Sequence, residues 1–411
     1  MKNLKMGAVA LASLLGVVGT SAPAAGPNGQ PVERYGRVFA VSVCGHIQVA
    51  LQARCFGKVV TDARGNIING KPNLNRNATP SGLSPASLNL AYGLSPASGP
   101  PGSGPTIAIV DAYGYPNAEK DLATYRAQFG LGACTSSGTN PCFRKVNQNG
   151  ATSYPRTDVG WDQEQALDLD MASAMCPSCK ILLVQATTPS YSNLAAAVNR
   201  AAALGAIVIS NSYGGSESGS TSYEKSYNHS GIAITASTGD SGYGAQFPAS
   251  SPHVVAVGGT HLTGSGNSWT ETAWDGAGSG CSSVYGPLTS GGTSIQASSD
   301  TGCPNRALAD VSAVADPNTG VAVYGPVTRS RSGWMVFGGT SVSAPLIGGV
   351  LAAVGGFGTY PAMKLYSSSA TSFRDILTGN NGSCPVSQWC VARSGWDGPT
   401  GRGSPQGANA F

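Results

Sequence analysis

Short apolar runs alternate with longer amphipathic or mixed stretches through the middle of the chain. Continuous apolar runs of four to six residues are typical of buried parallel strands, and they occur at 106–110, 180–185, 206–210, 232–237 and 254–257. Stretches of helical length separate or flank these runs, at 84–92, 118–129, 163–174, 192–204 and 346–354. This alternation predicts an α/β fold with a mostly parallel central sheet and crossover helices on both faces.

Polar residues follow three of the predicted strands at the point where each strand ends. They are Asp111, Asn211 to Gly214, and Thr238 to Asp240. Because sites in parallel sheets collect at the carboxyl ends of the strands, we expect these residues to lie together. Residues 265–330 are rich in Gly, Ser and Thr with little periodicity, and this pattern predicts long surface loops.

The first 25 residues have the features of a secretory signal peptide. Two lysines precede an apolar run from Met6 to Val18, and small residues follow up to Ala25. The sequence therefore predicts secretion, to the extracellular space or the periplasm. No other run is long enough to span a bilayer, so no membrane association is expected after the signal is removed.

Ten cysteines in an exported chain predict disulfides. Neighbouring cysteines form five couples that could each close a short loop: Cys44 and Cys55, Cys134 and Cys142, Cys176 and Cys179, Cys281 and Cys303, Cys384 and Cys390. The Cys-Pro-Ser-Cys couple at 176–179 could instead be redox-active or bind a metal. Because the chain has no second such motif, we favour a structural disulfide there.

Charge is distributed unevenly along the chain. Residues 26–80 contain seven Lys or Arg against two acidic residues, whereas residues 81–411 contain 15 basic against 18 acidic residues. No basic cluster is dense enough to suggest nucleic-acid binding. The basic segment 26–80 could be a pro-segment that shields an active site or a small accessory domain. We favour the pro-segment, with 77–82 as its linker to a domain over 81–411.

The stretch Gly338-Gly339-Thr340-Ser341 precedes an apolar helix. Ser341 is therefore expected at a helix N-terminus, where free backbone N–H groups and the helix dipole stabilise an anion. This is a suitable position for an acyl-transfer nucleophile, although a turn that caps a core helix would have the same sequence.

A nucleophilic serine needs a base, and the sequence offers carboxylates rather than histidine. The four histidines, at 46, 229, 253 and 261, lack a motif that would place one beside the serine, and surface or packing roles are expected. Glu164 and Asp168 are four residues apart on a predicted helix and share a face, whereas Asp170 points away from it. Glu164 and Asp168 could form a solvated acidic face, but their apolar neighbours favour burial. Two buried carboxyls that lie close together share a proton, and the pair can act as a base in acid.

Asp240 lies in a glycine-rich loop after a predicted strand. It could form an Asx turn. Alternatively, its protonated carboxyl could donate a hydrogen bond to an oxyanion, an interaction that is typically worth about 3 kcal/mol.

The order of these motifs resembles that of the sedolisin family, the serine-carboxyl peptidases. The matching residues are Glu164-xxx-Asp168, Ser237 to Gly244, Phe247-Pro-Ala-Ser-Ser-Pro252, and Gly339-Thr-Ser341-xxx-Ala-Pro345. The resemblance covers residues 81–411 and implies a subtilisin-like peptidase domain. It also implies that Ser341 is the nucleophile, Glu164 the base and general acid, and Asp168 its orienting partner. Asp240 and the Ser341 N–H would form the oxyanion hole, and an extended peptide would bind along Ser212, Tyr213 and Gly214.

Two carboxylates and flexible loops near the C-terminus suit one hard cation such as calcium. By resemblance, the ligands would be the carboxylates of Asp375 and Asp397 and the carbonyls of Ile376, Arg393 and Gly395. The family usually has glycine where Arg393 stands. A disulfide-closed loop without metal is the alternative for this region.

The sequence thus predicts a secreted, monomeric, acid-active endopeptidase whose partners are protein or peptide substrates. The alternatives are a neutral subtilisin-type protease and a non-catalytic secreted binding protein on the same scaffold. Two departures from the family pattern are a shorter pro-segment and Asp111, whose position resembles that of the subtilisin catalytic aspartate. Without a histidine to orient, Asp111 is expected to be structural.

Overall fold

A computed structural model describes residues 26, 29–45, 49–68, 80–95, 99–139, 141–290 and 293–411. The expected signal peptide, His46 and residues 77–79 of the expected linker lie outside these ranges. Among the described residues, no helix combines the length and the apolar character that a bilayer span requires.

The described residues form short N-terminal strands followed by alternating strands and helices. The strands are β1 (Glu33–Tyr35), β2 (Val38–Ser42), β3 (Arg54–Cys55), β4 (Lys58–Thr61), β5 (Thr106–Ala112), β6 (Phe143–Asn147), β7 (Lys180–Ala186), β8 (Val208–Asn211), β9 (Tyr213–Ser216), β10 (Ala233–Ser237), β11 (Gln246–Phe247), β12 (Val255–Ser265), β13 (Ser268–Ala273), β14 (Gly280–Cys281), β15 (Thr289–Ser290), β16 (Thr293–Ser294), β17 (Ala307–Leu308), β18 (Val311–Val314), β19 (Val321–Thr328), β20 (Arg331–Gly338), β21 (Phe373–Arg374) and β22 (Ser404–Pro405). The α-helices are α1 (Pro85–Tyr92), α2 (Ala118–Gln128), α3 (Val159–Met175), α4 (Tyr191–Ala203), α5 (Thr221–Glu224), α6 (Ser298–Thr301), α7 (Thr340–Val354) and α8 (Pro361–Ser367).

The central sheet has the strand order β13-β12-β10-β8-β5-β7-β6, and β18 pairs with β12. All of its pairings are parallel except that of β12 with β13. Helices α3 and α7 pack against each other and on the sheet, and α4 packs on β5 and β7. The predicted α/β architecture is therefore confirmed, because continuous apolar runs such as 106–110 lie in buried parallel strands, here β5.

The N-terminal segment shares a sheet with the main body. Its strands β1, β2 and β4 join β20 and β19 in the order β1-β2-β4-β20-β19. In this sheet Lys58 of β4 pairs with Gly338 at the end of β20, three residues before Ser341. The described part of this segment thus packs beside the predicted nucleophile, and its role as a pro-segment stays a prediction.

The prediction of long surface loops over 265–330 is wrong for much of that range. Strand β18 lies buried in the central sheet, and β19 forms a long antiparallel pairing with β20, which the sequence pattern also missed. Strand β18 is only four residues long, with Ser312 and Ala313 between two valines, and Gly325 and Pro326 interrupt the apolar run of β19. A hydrophobicity pattern therefore does not reveal these strands.

All five expected cysteine couples form disulfides in the structure, and no described cysteine is free. The Cys176–Cys179 couple is among them, which favours its structural role.

Candidate active site

Ser341 lies in the first turn of α7, as expected, and is fully buried. Gly339 precedes the helix with a φ of 95°, a conformation that favours glycine and lets β20 turn directly into α7. The Ser341 hydroxyl donates to the Ser212 carbonyl (3.2 Å) and accepts from the Phe56 N–H (3.1 Å). The predicted nucleophile therefore contacts both the predicted substrate edge and the N-terminal segment.

Glu164 and Asp168 lie one turn apart on α3 and are both fully buried. The helix begins at Asp158, whose side chain accepts hydrogen bonds from the Gly160 and Trp161 N–H groups, a common N-cap arrangement. Glu164 Oε2 accepts from the Gly57 N–H at 2.9 Å. Because α3 packs along α7, this carboxyl is brought to the serine from the adjacent helix.

A third carboxyl, Asp111, joins this pair from the C-terminal end of β5. Burial raises the pKa of Asp111 well above its ordinary value, and the charge of Glu164 raises it further. Burial likewise raises the pKa of Glu164, with Asp168 adding to the shift, and raises that of Asp168, with Asp111 adding to it. Because each acid opposes the ionisation of the next, the three carboxyls share protons, and one of them can be ionised while its neighbours stay protonated.

Asp240 approaches Ser341 from the loop after β10. Its Oδ1 accepts from the Thr340 N–H (2.8 Å) and hydroxyl (2.9 Å), while among the described residues Oδ2 has no hydrogen-bond partner. Burial raises the pKa of Asp240 to about 6, against the opposing charge of Lys58. A protonated Oδ2 is thus free to donate to an oxygen held in front of it.

The predicted substrate edge carries an extended strand of this same chain. Strand β3 pairs antiparallel with β9, with Arg54 opposite Gly214 and Cys55 opposite Tyr213. The next N–H, of Phe56, donates to the Ser212 carbonyl at 3.3 Å. We call residues 52–58 the cleft segment, because it occupies the edge where a peptide was expected to bind.

Residues that were expected to lie outside the site do so. Among the described histidines, His229 contacts Asn199, His253 contacts Glu224 and His261 contacts Asp316. Asp170 is buried on another face of α3 and accepts from the Tyr324 N–H. No described imidazole hydrogen-bonds to the three carboxyls or to Ser341, in line with a site built on carboxyl chemistry.

Four of the five expected metal ligands contact one another in pairs near the C-terminus, and Ile376 directly follows Asp375. Asp375 Oδ2 accepts from the Gly395 N–H (3.0 Å), and Asp397 Oδ2 accepts from the Arg393 N–H (3.1 Å). Burial raises the pKa of Asp397 to about 7, and the charge of Asp375 contributes. Asp375 Oδ1 is buried without a hydrogen-bond partner in the described part of the chain. Two close carboxylates with an unsatisfied oxygen fit a hard cation, although the described residues contain no cluster of three or more acidic, His or Cys ligands.

Sequence reasoning missed two parts of this site. The role of Asp111 was undervalued because its contact with Glu164 joins a strand end to a helix more than 50 residues away. The cleft segment was missed because its contacts are made mainly by backbone groups. The only local signal was the Cys44 and Cys55 couple, which suggested a closed loop but not its position.

Comparison with known sequences relates the chain to subtilases. The sequence model of the subtilase family matches residues 150–377. Kumamolisin from Bacillus sp. (strain MN-32) is 32% identical in an alignment of 368 residues that covers 81% of this chain and 63% of that protein. Sedolisin from Pseudomonas sp. (strain 101) is 33% identical in an alignment of 178 residues that covers 39% of this chain and 29% of that protein. The chain therefore spans less than two thirds of these relatives.

Among solved structures, Pseudomonas sedolisin, a serine-carboxyl proteinase in complex with two molecules of pseudo-iodotyrostatin, shares the fold. It aligns with a TM-score of 0.63 at 24% identity, over 80% of this chain and 96% of that one.

Proposed function

We propose, from the premise that the chain belongs to the subtilase family and, within it, to the sedolisins, that it is a secreted, acid-active serine-carboxyl endopeptidase. Its substrates would be proteins or peptides, bound in extended form along Ser212 to Gly214. Ser341 would be the nucleophile, Glu164 the base and general acid, Asp168 its partner, and Asp240 an oxyanion donor.

One observation carries this proposal. The Ser341 hydroxyl and the Glu164 carboxyl contact two consecutive peptide nitrogens of one extended strand, those of Phe56 and Gly57. A hydroxyl and a carboxyl that contact the nitrogens on either side of Phe56 are the two groups that acyl transfer needs at its carbonyl, a nucleophile and a proton carrier.

The chemistry follows from these positions. Glu164 takes the proton of Ser341 as its oxygen attacks the carbonyl carbon, and the protonated Asp240 donates to the oxyanion that forms. Glu164 then gives the proton to the leaving nitrogen, which lies on its side of the peptide unit. Water cleaves the resulting ester with Glu164 again as the base. Burial keeps Glu164 basic enough to accept a proton by raising its pKa, and the charge of Asp168 adds to this shift. The charge of Glu164 in turn raises the pKa of Asp111.

Acid activity is part of the proposal because the oxyanion donor must be protonated. With its pKa at about 6, Asp240 carries a proton in acid and loses it near neutral pH. The alternative of a neutral subtilisin-type protease requires an imidazole at the serine, and the described histidines bind elsewhere.

We also propose one calcium site in the C-terminal loop. The Asp375 and Asp397 carboxylates and the carbonyls of Ile376, Arg393 and Gly395 would hold the ion. A bound calcium would supply structural stabilisation by neutralising the two carboxylates and ordering the loop.

Alanine at Ser341 and glutamine at Glu164 test the function. Casein or haemoglobin digestion near pH 4 should fall at least ~10⁴-fold in either variant, because each removes a member of one catalytic unit. Matched controls are Ser343→Ala, on the same helix as Ser341, and Asp162→Asn, on the same helix as Glu164. Asp162 has its pKa raised to about 8 by burial, so it is neutral at the assay pH and the amide replaces a neutral acid. Undiminished digestion in the Ser341 or Glu164 variant, or no activity in the wild type, would refute the proposal.

A further inference from the structure

The cleft segment lies in the candidate active site in the register of a substrate. Antiparallel pairing of Arg54 with Gly214, followed by the Phe56 N–H on the Ser212 carbonyl, holds the backbone extended up to Phe56. The Cys44–Cys55 disulfide fixes the residue immediately before Phe56. Beyond Gly57, β4 continues in the sheet beside β20. One peptide bond, Phe56–Gly57, is therefore held at the catalytic groups from both sides.

The atoms of this bond meet the groups that would cleave it. The Gly57 nitrogen, which would be the leaving group, donates to Glu164 Oε2 at 2.9 Å. A Cβ added at Gly339 would collide with the Phe56 carbonyl oxygen and come within 2.8 Å of Asp240 Oδ2, so these two oxygens face the same point. A Cβ on Gly57 would collide with Glu164 Oε2. Only glycine after Phe56 lets the nitrogen approach the acid so closely.

The Phe56 ring fills a slot with glycine walls. Phe56 is 2% exposed. A Cβ at Gly214 would lie 2.8 Å from the Phe56 Cζ, and one at Gly239 would lie 3.7 Å from the same atom. Because glycine has no side chain, the two backbone segments leave a flat space between them that the aromatic ring fills. A slot for small or branched residues would not have this flat shape.

We propose that the enzyme cleaves its own Phe56–Gly57 bond, and that the slot between Gly214 and Gly239 selects an aromatic residue before the scissile bond of its substrates. This rests on the proposed function. Ser341 Oγ forms an ester with the Phe56 carbonyl carbon as the carbon–nitrogen bond breaks, and Glu164 passes the serine proton to the Gly57 nitrogen. One water then hydrolyses the ester, which leaves a Phe56 carboxyl group and a free Gly57 amine.

The full chain, purified and shifted from pH 8 to pH 4, tests the cleavage. Mass spectrometry of both products should give a fragment that ends in Phe56 and a chain that begins with Gly57. The rate should not change over a hundredfold dilution, because the bond is already bound in its own site. Ser341→Ala should stay intact, and Phe56→Ala should slow the cut at least ~10-fold, as expected for lost contacts in an apolar pocket. Phe39→Ala changes a phenylalanine of β2, which lies outside the cleft segment. This variant should cleave itself at the wild-type rate.

Peptides in trans test the slot without relying on a folded Phe56 variant. The processed enzyme should cleave a peptide with Phe before the bond at least ~10-fold faster, by kcat/KM, than the same peptide with Ala. Gly214→Ala narrows the slot and should reverse that preference.

The outcomes separate the two proposals. An enzyme that digests casein in acid but leaves Phe56–Gly57 uncut, or cleaves Phe and Ala peptides equally, overturns this inference alone. A chain that neither cuts itself nor digests casein overturns the proposed function as well.

Discussion

Replacing Asp240 by asparagine separates the oxyanion donor from the rest of the catalytic machinery. Asp240 Oδ1 accepts two hydrogen bonds from Thr340, so the asparagine oxygen should keep that position. Its amide nitrogen then replaces Oδ2, which has no hydrogen-bond partner in the described part of the chain. The amide donates at every pH, whereas the carboxyl donates only when it is protonated.

The magnitude follows from the pKa of Asp240, which burial raises to about 6. About a tenth of the molecules carry the proton at pH 7 and about a hundredth at pH 8, a tenfold change per pH unit. The charges of Lys58 and Arg54 lower this pKa. Arg54 leaves with the fragment that ends in Phe56, whereas Lys58 stays on the processed enzyme, so the loss of activity should begin at the same or a higher pH after processing.

The assay is kcat/KM on one peptide from pH 4 to pH 8, for the processed wild type and Asp240→Asn. Other titrating groups affect both enzymes, so the ratio of variant to wild-type activity isolates Asp240. We expect a constant ratio in acid and a tenfold rise per pH unit above the pKa of Asp240. A ratio that does not change with pH would refute the role of a protonated Asp240.

Three further predictions concern stability and the geometry of the cleft. Burial raises the pKa of Asp162 to about 8 from an ordinary 3.8, so the folded chain binds a proton that the unfolded chain has lost between these values. The melting temperature of an inactive variant should therefore rise as pH falls from 8 toward 4, and a fall over that range would contradict the shifts. Chelation of calcium should lower the melting temperature by about 5 °C. Asp375→Asn should remove that response, whereas Asp300→Asn, an exposed control, should keep it. An equal response in the wild type and both variants would exclude the site. Alanine at Gly339 places a Cβ against the Phe56 carbonyl oxygen and should reduce kcat/KM at least ~100-fold. The control is Gly231→Ala, at a glycine that also has a positive φ but has open space around it, and this variant should retain activity.

The sequence predicted the parts of the fold that depend on local patterns. The apolar run within Thr106–Ala112 has a direct structural consequence, because buried parallel strands are built from such runs. The spacing of Glu164 and Asp168 has one as well, because residues four apart lie on the same face of a helix. The helix that begins at Thr340 was predicted from its glycines and its apolar continuation. Ser341 and the carboxyls of Glu164 and Asp168 were therefore named from the sequence. Their catalytic roles stay predictions.

The remainder depends on contacts between distant parts of the chain. Strand β18 has only four residues, with Ser312 and Ala313 between two valines, and so short a run is not distinguished from loop sequence. The hydrogen bonds that hold the cleft segment come from its backbone, so its side chains do not reveal this pairing. Burial raises the pKa of Asp111 and the charge of Glu164, more than 50 residues away, adds to the shift, and both are visible only when the helix is placed against the sheet.

Trapping the acyl-enzyme tests the central claim, that carboxyl groups activate Ser341, most directly. The processed enzyme would hydrolyse, at pH 4, a peptide ester with phenylalanine before the cleaved bond. The reaction would be quenched with acid, and the modified residue would be located by peptide mapping with mass spectrometry. The account predicts an ester on Ser341 in the wild type that forms at least ~100-fold more slowly in Glu164→Gln. An ester on another residue, or equally rapid formation in Glu164→Gln, would contradict it.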